Sequence, residues 1–136
     1  MTANRPGRSR FAMRCIATGA LLMLLAVILG AFGAHALRGQ LTPARLASFQ
    51  TGVLYHQVHA LGLVLVGIVA HVTPRSRWLV RAAALLGAGI VLFAGSIYAM
   101  TFGAPRGLGL VAPLGGVSFM LGWACLAMHA REVNSD

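Results

Sequence analysis

The sequence predicts an all-α membrane protein, a bundle of four transmembrane helices with both termini cytoplasmic. Three observations predict it. The chain is 58% hydrophobic and 10% charged, with a mean hydropathy of +0.80, whereas soluble domains run about 45–50% apolar and about 25% charged. The excess is gathered into four apolar runs, each with the roughly 20 residues that cross about 30 Å of hydrocarbon. The period-two alternation that marks a membrane β-barrel is absent.

The elements follow in chain order. Residues 1–14 are a basic tail carrying Arg5, Arg8, Arg10 and Arg14, expected to be disordered. A single four-helix transmembrane domain occupies 15–130, and 131–136 form a short tail. The first span is expected from Cys15 to Ala34, the second from Val53 to Val72, the third from Leu79 to Thr101 and the fourth from Leu108 to Ala130.

All 11 basic residues are arginine, and they lie between the apolar runs. That placement argues against a nucleic-acid surface, which needs a basic stripe on one soluble face. It serves instead as a topology signal. One side holds Arg5, Arg8, Arg10, Arg14, Arg75, Arg77, Arg81 and Arg131, and the other only Arg38, Arg45 and Arg106. The richer side, with both termini, is expected to face the cytoplasm.

The connection from 36 to 52 carries its own signal. Thr42-Pro43 is a helix start, a hydroxyl N-cap followed by Pro at the first helical position. Leu46, Phe49 and Val53 then make one apolar stripe. We expect a short amphipathic helix over 43–51, lying in the interface and bending at Gly52 into the second span. The connection from 102 to 116 is rich in Gly and Pro yet apolar. Irregular backbone cannot face lipid, so it must pack on protein or sit at headgroup depth. Pro113 either opens the fourth helix or kinks it.

Small residues mark the packing faces. The stretch "GAFGAH" at 30–35 offers Ala26, Gly30 and Ala34 at spacings of four, with Gly33 beside them. Gly95, Gly115 and Gly122 extend the pattern to the later spans. In lipid, such residues let helices approach closely. The rival reading of Ala34-His35-Ala36 is a signal-peptide cleavage site. The apolar stretch before it is about 20 residues, longer than the usual 7–15 of a signal peptide, which favours a retained helix. Oligomerisation through these small residues is a further expectation.

Both acidic residues, Glu132 and Asp136, lie in the C-terminal tail, so no span holds a carboxylate. This disfavours a proton-coupled or cation transporter, which needs a titratable acid at membrane depth. Cys15 and Cys125 form no C-x-x-C motif and read as packing residues.

Three of the five histidines fall at the outer end: His35, His56 and His59. In "YHQVHAL", Tyr55 and His59 are four apart and share a helix face. Ser96 and Tyr98 end the third span. These side chains form either an interhelical hydrogen-bond network or a ligand site. In the second case His35, His59 and Tyr55 are the cofactor-binding candidates, across a haem iron, at a quinone or at a metal. Nothing in the sequence assigns a cofactor or a catalytic residue.

The motifs "GAFGAHAL", "TGVLYHQVHAL", "VLFAGSIYAM" and "PLGGVSFMLGWACLAM" occur in that order. Together they resemble the YgdD/YwdK-like bacterial inner-membrane family, a domain-of-unknown-function family (family 423), and they are similar to transmembrane protein 256. The resemblance covers about residues 15–130. It implies a retained first helix and four spans in the bacterial inner membrane, and it brings no activity with it. This sequence departs from the family at His56, where members often have Gln, and at Ala94 in "AGSIY", where they often have Ser. The expected role is a non-enzymatic interaction or accessory protein with the bilayer, and a membrane-protein partner or a second copy, as its surroundings. A cofactor-binding redox protein and a small transporter are the alternatives.

Overall fold

In the computed structural model, residues 6–74 and 76–135 are described, with side chains from residue 10 onward; Arg5 and Arg75 of the charge tally lie outside the described residues. Four helices are long and apolar enough to cross a membrane. They are α1 (Pro6–His35), α2 (Pro43–Val72), α3 (Arg77–Thr101) and α4 (Ala112–Ser135). A 3-10 turn, Arg106–Leu110, precedes α4.

The boundaries follow local chemistry. Thr42 caps α2 as its sequence indicates: its Oγ1 accepts from the Arg45 N–H at 3.4 Å, and Pro43 opens the helix. The α2 C-terminus stops at Thr73, which is extended because Pro74 follows it. Gly39 and Gly103 turn the chain after α1 and α3 at φ +90° and +104°, where other residues are strained. Pro113 sits in the first turn of α4, so it opens that helix without breaking it.

Two expectations need correcting. Residues 6–14 are not an irregular tail, because α1 already begins at Pro6. Pro is compatible with a first turn, and the Arg, Ala and Met that follow favour helix. The segment 43–51 is not a separate interfacial helix, because α2 runs unbroken for 30 residues through Gly52. At about 1.5 Å per residue it is about 45 Å long, so it tilts or stands out of the hydrocarbon. Gly52 serves contact here. A Cβ at that position would sit 3.2 Å from Ile97 Cγ2 and 3.4 Å from the Tyr98 ring.

The helices alternate in direction. On the α1–α2 face, a Cβ on Gly33 would meet the Phe49 ring at 2.7 Å, and one on Gly30 would meet Val53 at 3.3 Å. Gly19 lies under Ala60 and Val64, and Gly67 under Ala12 and Ile16. Those pairings run antiparallel and give "GAFGAH" its role as a packing face. Ala26 is fully buried in the same line, whereas Ala34 is exposed. Gly115 fits against the Phe93 backbone, and Gly122 against Leu86. Gly95 has open space around its Cβ position.

The main core runs between α2, α3 and α4, around Leu63, Val66, Leu79, Leu86, Ile90 and Phe119, with Ala12 and Cys15 of α1 joining it. Within α3, Ile90–Gly95 winds as a π-helix. The widened turn brings Phe93 onto Gly115, and the Ser96 hydroxyl donates to the Phe93 carbonyl at 2.9 Å. The start of α1 and the end of α4 lie at one end of the bundle. Ala12 packs at Gly67 near the end of α2, and His129 of α4 bonds Thr73 and Ser76 in the α2–α3 connection.

The contact at Gly115 is testable against its neighbour. Gly115→Ala would place a methyl 2.7 Å from Phe93 Cβ and 2.8 Å from its Cα. Overpacking of this kind costs about 1–3 kcal/mol, so thermal unfolding in detergent should show a clear loss of Tm. Gly116→Ala meets nothing within 4 Å and should hold Tm or raise it, since Ala gains about 0.5–1 kcal/mol over Gly in a helix.

Candidate functional site

The sequence proposes a cluster at the end of the bundle opposite the chain termini. The structure brings part of it together. Tyr55 and His59 stack at 5.8 Å between ring centroids, because a spacing of four places them on one face of α2. The His59 Nδ1 donates to the Tyr55 carbonyl at 2.6 Å, which puts the proton on that nitrogen. The His59 ring lies flat on Phe119 of α4, with centroids 3.4 Å apart and planes 10° from parallel. Tyr55 also meets Phe93 at 4.7 Å.

His35 is not part of this group. It ends α1, is exposed, and shares the outward face with Leu21 and Ile28 at spacings of seven. The antiparallel register sets His59 level with about residue 23 of α1. His35 is therefore about 12 residues farther along, roughly 18 Å. His35 and His59 cannot ligate one iron from these positions. Among the described residues, no three His, Cys, Asp or Glu side chains gather as a metal site.

His56 forms the other half of the cluster. It is 2% exposed, and its Nδ1 shares a 3.2 Å hydrogen bond with the Tyr98 hydroxyl of α3. Its Nε2 is the one buried side-chain nitrogen or oxygen without a partner among the described residues. Sequence spacing favours Tyr55 with His59 and so understates His56, whose partner lies 42 residues away on another helix.

A third histidine is as buried at the opposite end. His129 is 2% exposed and bridges Thr73 Oγ1 and Ser76 Oγ, each at 2.8 Å. Thr73 donates its own hydroxyl hydrogen to the Val69 carbonyl, so His129 Nε2 carries the proton toward Thr73. His129 thereby ties α4 to the α2–α3 connection. Its position near the end of the fourth apolar run suggests only an interfacial residue; the hydroxyls that hold it come from elsewhere in the chain.

Two cavities open at the ends of the bundle. One, of about 400 Å³, is lined by Arg45, Ser48, Ile97, Met100, Thr101 and Arg106 among others. The other, of about 420 Å³, is mostly apolar and lies beside His129, Val69 and Leu126. Neither is lined by His35, Tyr55, His56 or His59.

Comparison with known proteins fits this architecture. The family model described as "Protein of unknown function (DUF423)" matches residues 29–116. The UPF0382 membrane protein YwdK of Bacillus subtilis (strain 168) is 44% identical over 115 residues, which is 85% of this chain and 94% of the relative. The UPF0382 membrane protein SERP0230 of Staphylococcus epidermidis is 39% identical over 83% of this chain and 91% of its own length. The UPF0382 inner membrane protein YgdD of Escherichia coli (strain K12) is 37% identical over 76% of this chain and 79% of its own. No solved structure matches significantly.

The His56–Tyr98 pair gives a test of whether the cluster is structural. Tyr98→Phe leaves both ring nitrogens of His56 unpaired and should cost about 1–3 kcal/mol. The double variant His56→Leu/Tyr98→Phe removes both partners and should return to within about 1 kcal/mol of the parent. Unfolding in detergent followed by circular dichroism checks both.

Proposed function

We propose, for a chain that belongs to the DUF423 family of proteins of unknown function, that it is an inner-membrane accessory protein acting by association and not by catalysis. The observation that carries this reading is the position of α1. Only 17% of its membrane-crossing stretch is buried, the lowest of the four, against 22% for the fourth, 33% for the third and 50% for the second. It packs along α2, and the rest of its circumference presents Leu21, Leu24, Val27 and Ile28, each more than half exposed. A peripheral helix of this kind has its whole outward side free for a partner helix, and in lipid such association comes from close packing.

The same reading places both termini in the cytoplasm. Arg10, Arg14, Arg77, Arg81 and Arg131 belong to the end of the bundle that carries the termini, and cytoplasmic segments are enriched in Arg and Lys. Trp78 supports an interface at that level, its ring carrying cation–π contacts to the guanidiniums of Arg77 and Arg81 at 5.3 and 5.2 Å. Inner-membrane residence is further supported by the YgdD relative, which is named an inner membrane protein.

A second reading rests on His56. Its unpartnered Nε2, beside the Tyr98 hydroxyl, suits a hydrogen-bonding ligand such as a quinone head group. This version uses His56 in place of His35. It requires native mass spectrometry to find a quinone-sized adduct on the parent and none on His56→Leu.

The accessory role is tested by photocrosslinking in cells. A photoreactive residue at Leu24, on the outward side of α1, should capture a discrete protein. The same probe at Met120, on the exposed side of α4, should label lipid only. Lipid labelling alone at both positions defeats the reading. A crosslink to a second copy of this chain would make the partner the protein itself.

A further inference from the structure

We infer that the cavity between the N-terminus of α2 and the C-terminus of α3 is a binding site for a phosphate anion, carried at that depth by an anionic phospholipid head group. Arg45 and Arg106 both line this cavity of about 400 Å³, with Ser48 on its wall. They come from the first turn of α2 and from the start of the 3-10 turn, so the fold brings two guanidiniums from distant parts of the chain to one opening.

Arg45 is already held in place. One terminal nitrogen donates to the Met100 carbonyl at 3.3 Å and to the Thr101 carbonyl at 3.2 Å. Those carbonyls end α3, where the helix carries the negative end of its dipole; the Met100 carbonyl also accepts from the Gly103 N–H. A guanidinium has five N–H donors in a rigid fork. Both bonds come from Nη2, and the Nε–H and Nη1–H donors meet no acceptor among the described residues. Each can give a single charge-assisted bond to a phosphate oxygen, and Arg106 can supply the second cation.

Among the described residues no acidic side chain lies at this cavity; Glu132, the one described acid, belongs to the opposite end. The depth also fits. At about 1.5 Å per residue the 25 residues of α3 span about 38 Å, longer than the roughly 30 Å of hydrocarbon, so Thr101 reaches head-group level. Arginine-lined pockets between helices at that level hold lipid phosphates. The inference does not rest on the accessory role and holds whichever side this end faces.

The test uses the full chain reconstituted in nanodiscs of phosphatidylcholine with phosphatidylglycerol, with retained lipids counted by native mass spectrometry. The parent should keep phosphatidylglycerol in preference to phosphatidylcholine. Arg106→Gln should lower that preference about fivefold; Arg106 is exposed, so the fold does not depend on it. Arg38→Gln removes a charge at the same end but outside the cavity and should leave the preference unchanged. Equal loss in Arg38→Gln and Arg106→Gln, or no loss in Arg106→Gln, overturns the site. Inorganic phosphate in phosphatidylcholine-only nanodiscs separates the sources. A phosphate adduct lost in Arg106→Gln, without any phosphatidylglycerol preference, assigns the cavity to the free anion.

Discussion

Close approach of helix backbones is the constraint on which this bundle depends. Lipid tails are as apolar as leucine, so burial of Leu or Val offers little drive for one helix to prefer another. What remains is van der Waals contact, and it falls off within a fraction of an ångström. The glycines set that distance. Gly19 and Gly67 stand at opposite places in the α1–α2 hairpin, and each would drive a Cβ into the neighbouring helix's backbone, at 2.7 Å from the Ala60 carbonyl and 2.8 Å from the Ala12 carbonyl. Between α4 and α3, Gly115 lies against the Phe93 backbone in the same way, and Gly122 against the Leu86 side chain. The bundle is thus two close-packed pairs, α1 with α2 and α3 with α4, joined through the larger side chains of the central core.

Many of the polar side chains follow a second pattern, giving their donor to a carbonyl of the chain. Thr51, Thr73, Thr101 and Ser96 each return a hydroxyl hydrogen to a carbonyl three or four residues back. Ser118 spends its hydrogen on Leu85 of the neighbouring helix at 2.7 Å. His129 closes on two hydroxyls, and His59 on a carbonyl and an aromatic face. Against this economy the Nε2 of His56 is an exception. A buried polar atom without a partner costs about 1–3 kcal/mol, so its retention beside Tyr98 is the one place where packing alone does not account for the residue.

Most of the architecture was legible in the chain. Apolar run length marked all four spans, Thr42-Pro43 marked the start of α2, and the four-residue spacing marked Tyr55 with His59. The failures share one cause. Expecting a bend at Gly52 treated glycine as a local breaker, whereas its neighbours Ile97 and Tyr98 need it to be small. Expecting a disordered tail stopped the helix where hydrophobicity stops, although α1 continues on helix propensity through Arg and Met. Grouping His35 with His59 relied on both lying near the same end of their helices. Helical register separates them by about three turns, and register is a property of the packed pair that neither helix encodes alone. His56 and Tyr98 were both placed at the outer end, but their pairing, like that of His129 with Thr73 and Ser76, was hidden for the same reason.

The two ends of the bundle are therefore built for different tasks. At the end where α1 starts and α4 ends, His129 pins α4 to the α2–α3 connection, and the Trp78 ring meets the guanidiniums of Arg77 and Arg81. Its polar side chains are largely committed to one another. At the other end, the connections turn on Gly39 and Gly103, and one arginine is anchored while another is exposed beside it. Uncommitted charge at membrane depth persists only where something outside the chain meets it, because an arginine there is stabilised by phosphate or water and not by hydrocarbon. The interior supplies the framework, and the two proposed sites of association both fall on its periphery, on the outward side of α1 and in the arginine cavity at the α2–α3 corner.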